Sequence, residues 1–191
     1  MIIVGIDEVG RGCWAGPVVA GAVALDHAFE VPTGAQWKLG DSKLLSKNQR
    51  ELAEQGLRQL DVKIGLGWVD AATVDKVGIT TAVKMAMEQA LQQIKTDYDE
   101  VIIDGNLNFL SDQPKTRALV KADASTPAVS AASIVAKVAR DNYMAEAIDK
   151  YPDYGFEQHV GYGTALHLEK LKLHGITDLH RKSFKPIKAM L

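Results

Sequence analysis

Ile2-Ile3-Val4-Gly5-Ile6-Asp7-Glu8-Val9-Gly10-Arg11-Gly12 is an apolar run that ends in two adjacent carboxylates and a glycine-flanked arginine. The run is β-branched and almost uninterrupted, the pattern of a strand buried on both faces in the middle of a sheet. Charged groups rarely sit in such a place unless they are paired or bind metal. Asp7 therefore calls for a partner, and a divalent cation fits. Gly10 and Gly12 let the backbone come close to something, with Arg11 held between them.

Two other readings compete. An isolated Asp-Glu pair ordinarily just ends a strand and begins a turn. Gly10-Arg11-Gly12-Cys13-Trp14-Ala15 also fits G-x-G-x-x-G/A, the dinucleotide fingerprint of nucleotide-dependent oxidoreductases. That fingerprint must open a helix, yet Gly16 to Leu25 reads as a second strand. A pyrophosphate would also lie beside two carboxylates with no cation to offset them. A metal-dependent site fits the stretch better.

Working outward, the opening design recurs. Val101-Ile102-Ile103 delivers Asp104-Gly105, and Arg117-Ala118-Leu119-Val120 leads to Asp123. Either acid alone would pass as a turn aspartate. Three strand-like runs each ending in Asp are more specific, because carboxyl ends of neighbouring strands in an open α/β sheet can converge on one crevice. Between these runs lie a loop from Asp26 to Gly40, a polar helix over 47–60 capped by Ser46, and a strand over 62–69. Asp70 caps a short helix that Gly78 ends, and 79–94 carries apolar residues at helical spacing. Thr126-Pro127 starts a helix that runs to about Lys150. In it Ala131, Ile134, Val135, Val138 and Ala139 fall on one side. Ser130, Ser133, Lys137, Arg140 and Asp141 fall on the other, a stripe that ordinarily marks the wet face. The glycines flanking Tyr162 predict a ring unusually free to be presented, and a further helix spans 165–173.

Composition narrows the class. At 191 residues the chain suits one domain, 47% hydrophobic and 24% charged. A formal charge of −2 leaves any nucleic-acid affinity to local clusters such as Lys38, Lys43, Lys47 and Arg50. Cys13 is the only cysteine, so a disulfide or cysteine-based zinc site within the chain is excluded, which suits a reducing cytoplasm. Neither a signal segment nor a membrane span is read from the sequence.

Asp7-Glu8-Val9-Gly10-Arg11-Gly12 followed by Ala15-Gly16-Pro17-Val18-Val19 strongly resembles the opening of type 2 ribonuclease H, ribonuclease HII. The resemblance continues through Asp41-Ser42-Lys43, the Ser133 to Asp141 string, Gly161-Tyr162-Gly163-Thr164 with His167, and His180 to Phe184. It departs at Cys13, Leu44, Ala122 and Val160; Leu44 and Val160 stand where the family usually has lysine.

The resemblance implies an α/β, RNase H-like mixed central sheet flanked by helices. Residues 1–191 would form a single catalytic domain with a C-terminal helical extension that grips substrate. It implies a monomeric hydrolase acting on RNA–DNA hybrids and on duplex DNA with embedded ribonucleotides, as in ribonucleotide excision repair. It would cut 5′ to the ribonucleotide and leave 3′-hydroxyl and 5′-phosphate ends. Catalytic and metal-binding roles would fall to Asp7, Glu8, Asp104 and Asp123. Substrate contacts would fall to Gly10, Arg11, Gly12, Lys43, Ser133, Lys137 and Tyr162. Carboxylate oxygens suit Mg2+ or Mn2+, and phosphodiester hydrolysis is well served by two such ions about 3.5–4 Å apart. Asp7 is the expected shared ligand. Neighbouring strand residues face opposite ways, so Glu8 reaches the same site only if the strand ends or bulges there, or through its backbone. A related DNA-cutting resolvase and a hybrid-binding module without activity are the alternatives.

Overall fold

The computed structural model describes residues 1–60 and 62–191. The opening run becomes β1 (Ile2–Val9), the central strand of a five-stranded mixed sheet. On one side it pairs antiparallel with β2 (Val18–Asp26), which pairs antiparallel with β3 (Lys63–Val69). On the other side it pairs parallel with β4 (Glu100–Asp104), which pairs parallel with β5 (Thr116–Leu119). The sheet order is β3-β2-β1-β4-β5. The second strand begins two residues later than the sequence predicts.

Alternation along β1 assigns each face. Val4 and Ile6 pack with Val101 and Ile103 against α3 (Ile79–Gln92). Ile3 and Ile102 pack against α5 (Pro127–Glu146) on the opposite face. A Cβ on Gly5 would lie 2.1 Å from the Ala128 backbone, and one on Gly21 2.4 Å from the Ala132 oxygen. α5 therefore rests directly on the sheet, which only small residues on both surfaces permit. Its residues from Ala128 to Ala136 are buried all round, so its polar stripe is not a wet face: Ser130, Ser133, Arg140 and Asp141 are buried too.

α1 (Lys47–Gln59) starts at Ser46 with a reciprocal capping box to Gln49, and α2 (Ala71–Val77) is capped by Asp70 as its sequence predicts. Two departures matter for the site. After β5 the chain turns through Lys121 in the left-handed region, and Asp123 lies in a short helix, α4 (Ala122–Ser125), rather than at a strand end. α5 stops at Glu146 instead of about Lys150, with a 3-10 turn at Ala147–Asp149. The C-terminal part comprises α6 (Phe156–His159), α7 (Ala165–His174) and α8 (Lys185–Lys188). It closes onto the segment after β1: His180 bridges to Ala15, Arg181 N–H donates to the Trp14 carbonyl, and Gly16 N–H donates to that of Leu179. Among the described residues no helix is long and apolar enough to cross a membrane.

Candidate active site

The parallel register between β1 and β4 sets Ile6 beside Ile103, so one step further Asp7 lies beside Asp104 at the carboxyl edge of the sheet. Both point to the α5 face, as alternation requires. Asp104 accepts the backbone N–H of Ala122 at 2.8 Å, which draws α4 and Asp123 to the same edge. Glu8 lies one residue on in a ladder that pairs regularly to Val9, without a bulge, so its side chain leaves on the other face. There it meets Arg11 at 3.7 Å, yet it stays within electrostatic reach of Asp7, Asp104 and Lys43. The edge thus gathers Asp7, Asp104 and Asp123, with Glu8 at its rim.

Electrostatics give this cluster its character. Burial pushes the Asp7 carboxyl up to about 8; the Ser133 hydroxyl pulls it down, and Glu8 and Asp104 push it further up. Glu8 and Asp123 are also raised chiefly by burial. Asp104 and Asp41 push Asp123 up, while Lys43 lowers both Glu8 and Asp123. Each shift records a carboxylate short of positive charge. Hard cations supply that charge, and an all-oxygen donor set suits Mg2+ or Mn2+. Among the described residues no three acidic, histidine or cysteine side chains enclose a single ion. The acids form an open, partly exposed edge rather than a closed cage.

Ser133 on α5 lowers the Asp7 carboxyl, and its Oγ lies 2.8 Å from that of buried Ser42. Either hydroxyl can donate to the other. This pins the Asp41-Ser42-Lys43 loop over the acids with Lys43 exposed. Lys137, in contrast, spends its charge within the protein: its Nζ donates to Asp141 at 2.5 and 2.7 Å, and Asp141 also meets Arg50 at 3.7 Å.

The glycine-flanked arginine forms a turn above Glu8. Gly10 has φ +82°, and a Cβ there would strike Arg140 Nε at 2.2 Å and the Pro17 oxygen at 2.8 Å. A Cβ on Gly12 would meet nothing within 4 Å, so this backbone faces open space where a ligand can approach. Two fully buried arginines hold the turn, and among the described residues neither forms an ion pair with an acid. Arg181 donates to the carbonyls of Gly16 and Arg11; Arg140 donates to those of Pro17, Ala15 and Val160.

Tyr162 is 39% exposed, its ring 5.9 Å from both the Lys137 ammonium and the Arg140 guanidinium. Its phenol and the Cys13 thiol are close enough to influence each other's ionisation. The flanking glycines do not free this ring. A Cβ on Gly161 would lie 2.3 Å from the Ala15 oxygen and one on Gly163 2.1 Å from the Trp14 ring. They are close-packing positions that press the turn against the segment after β1. Reading from sequence missed Ser42, Arg140, Arg181 and the partners of His167 and His180. The Asp-Ser-Lys motif pointed at Ser42; nothing in a single sequence marks the two arginines as buried.

A family model described as ribonuclease HII matches residues 4–187. A curated ribonuclease HII of Bacillus cereus is 45% identical over 189 residues, covering 99% of this chain and 71% of that protein. Among solved structures, the one titled as the PCNA:RNase HII complex of Archaeoglobus fulgidus aligns with TM-score 0.77 and 28% identity over 97% of this chain and 96% of that one. Bst-RNase HIII in complex with Mn2+ aligns with TM-score 0.75 at 20% identity, covering 98% and 68%, a likeness of fold.

Proposed function

The chain belongs to the ribonuclease HII family, a family of ribonuclease H hydrolases, and from that premise we propose that it cuts RNA strands in RNA–DNA hybrids and on the 5′ side of single ribonucleotides in duplex DNA. Products would carry 3′-hydroxyl and 5′-phosphate ends. The observation that carries this reading is the convergence of Asp7, Asp104 and Asp123 at one sheet edge, where burial raises the carboxyls of Asp7 and Asp123.

Asp7, Asp104 and Asp123 would hold two divalent cations, Mg2+ or Mn2+, with Glu8 contributing from the rim. Bound there, such ions would relieve phosphate charge and make water a nucleophile at neutral pH. The rest falls to the chain. Ser133 would favour the ionised Asp7 carboxylate, and Ser42 braces Ser133. Lys43 reaches over the acids toward a backbone phosphate. Sugar recognition falls to the Gly10-Arg11-Gly12 backbone, because the 2′-hydroxyl alone distinguishes RNA from DNA at one position. The open space at Gly12 admits it. Tyr162 lies against the next sugar. Lys137 and Ser133 support the site from α5, Ser133 through Asp7 rather than by touching nucleic acid.

The test is a labelled DNA duplex with one ribonucleotide, incubated with and without divalent cation. Cleavage 5′ to the ribonucleotide only when cation is present is the expected result. Equal cutting of an all-DNA duplex would instead indicate a resolvase-like enzyme.

A further inference from the structure

Three histidines of the C-terminal part are buried together, and none belongs to the acidic edge: His159 is 5% exposed, His167 0% and His180 1%. Their hydrogen-bond partners determine where each proton sits. The Thr177 backbone N–H donates to His180 Nδ1 at 2.8 Å, so that nitrogen carries no proton and the neutral ring holds its own on Nε2. His180 Nε2 lies 3.0 Å from His167 Nε2, which must then accept. His167 is left with its proton on Nδ1, 2.9 Å from the Tyr162 carbonyl, to which it donates. His159 closes the same way: Gly161 N–H donates to its Nδ1, and its Nε2 donates to the Tyr154 carbonyl.

The chain of donors runs one way, from Thr177 through both imidazoles to the backbone of Tyr162. It works only while both rings are neutral, since an added proton would set two donors face to face at either junction. Burial lowers both rings to about 4, as does their mutual charge at His180. The charged or titratable neighbours are few. His159 stacks on His167 at 4.2 Å, Tyr154 lies 5.7 Å from His180, and Asp178 acts on His180 only as the weakest influence. The Tyr162 backbone is thereby saturated. Its N–H donates to the His159 carbonyl, and its carbonyl accepts from Thr164 N–H and from His167.

We propose that His180 and His167 are positioning residues for substrate recognition, a relay of two neutral imidazoles that holds the Gly161-Tyr162-Gly163 turn so that the tyrosine ring faces the nucleic acid. This rests on the reading of Tyr162 as the sugar-contacting residue, and the experiment separates the two. Imidazole 15N NMR of the unaltered protein should show His167 protonated at Nδ1 and His180 at Nε2; the opposite tautomers would overturn the relay.

His167→Asn keeps an amide N–H near the Nδ1 position, whereas His167→Leu removes it. His167→Leu should speed backbone amide exchange over 161–164 and slow cleavage at a single embedded ribonucleotide about tenfold. His167→Asn should stay within about twofold of wild type. A folded His167→Leu protein with unchanged exchange, or an Asn variant as impaired as Leu, would refute the relay. If Tyr162→Ala leaves single-ribonucleotide cleavage intact while exchange responds as stated, the relay stands and the sugar-contact reading falls.

Discussion

The Asp104 carboxylate accepts the Ala122 backbone N–H at 2.8 Å, so the acid that ends β4 also secures the first turn of the helix carrying Asp123. One side chain thus has two separable duties, a charge at the sheet edge and a cap on α4.

The two duties respond differently to substitution. Asp104→Asn keeps an oxygen that can accept from Ala122 and loses the charge. It should unfold at nearly the wild-type temperature and have almost no nuclease activity. Asp104→Ala loses the cap as well and should be about 1 kcal/mol less stable. Thermal denaturation followed by circular dichroism, alongside cleavage rates, decides it. Near-normal turnover by folded Asp104→Asn would end the cation-binding assignment.

Asp7 has a signature that needs no substrate. Its carboxyl is raised from 3.8 to about 8 in the folded chain, so in metal-free buffer its ionisation opposes folding. The penalty is absent below the unfolded value, grows as pH rises, and is complete above about 8. Asp7→Asn should therefore melt higher than wild type at pH 9 and show no gain near pH 4. Adding Mg2+ should raise the wild-type melting temperature and leave Asp7→Asn nearly unmoved. Equal responses of the two proteins to Mg2+ would place the cation elsewhere.

The central strand, its neighbours and the capped helices were legible because their signals are local: β-branched runs, Ser46 before Lys47, Asp70 before Ala71, Thr126 before Pro127. Asp7 and Asp104 were legible because each ends such a run, whereas Asp123 reaches the edge from α4 and not from a strand end. The polar stripe of α5 misled for the converse reason. Periodicity separates polar from apolar side chains, but whether a polar side meets water depends on segments far along the chain. Here Gly40, Ser42, Pro17 and Val160 cover it, supplying partners for Ser130, Ser133 and Arg140. The glycines at 161 and 163 misled similarly, since a missing Cβ serves close packing as readily as freedom, and only Ala15 and Trp14 show which.

Val160 stands in the left-handed region at φ +42°, an uncomfortable conformation for a β-branched residue, while its carbonyl is held by Arg140. Val160→Lys relieves the β-branching and restores a cation beside the turn. It should lower KM with little change in kcat. The slope of log affinity against log salt should steepen by about one contact's worth, ~0.7–0.9. Leu44→Lys, at a position 83% exposed beside Lys43, should do the same. An unchanged salt slope in both would mean neither position lies along the phosphate backbone.

Tyr162 offers the sharpest test of substrate choice. At a junction between a ribonucleotide and a deoxyribonucleotide, one sugar bears a 2′-hydroxyl and the next does not. A flat ring packs against the bare sugar and would collide with a hydroxyl there. The turn that carries the ring packs against Trp14 and Ala15, and Lys137 and Arg140 lie near the ring's face. Burial pushes its phenol up to about 12, so it remains a hydrogen-bond donor at any working pH. In a complex that donor is free to meet the 2′-hydroxyl. Tyr162→Ala should thus slow cleavage at a single embedded ribonucleotide more than cleavage of a continuous hybrid, which presents no such junction. Tyr162→Phe keeps the packing and loses the donor, so it should fall between wild type and Ala on the junction substrate, by about fivefold to tenfold from wild type. Initial rates of all three proteins on both substrates give the answer. Equal fractional losses on the two would make Tyr162 a general contact, and the junction would have to be read by the Gly10-Arg11-Gly12 backbone alone.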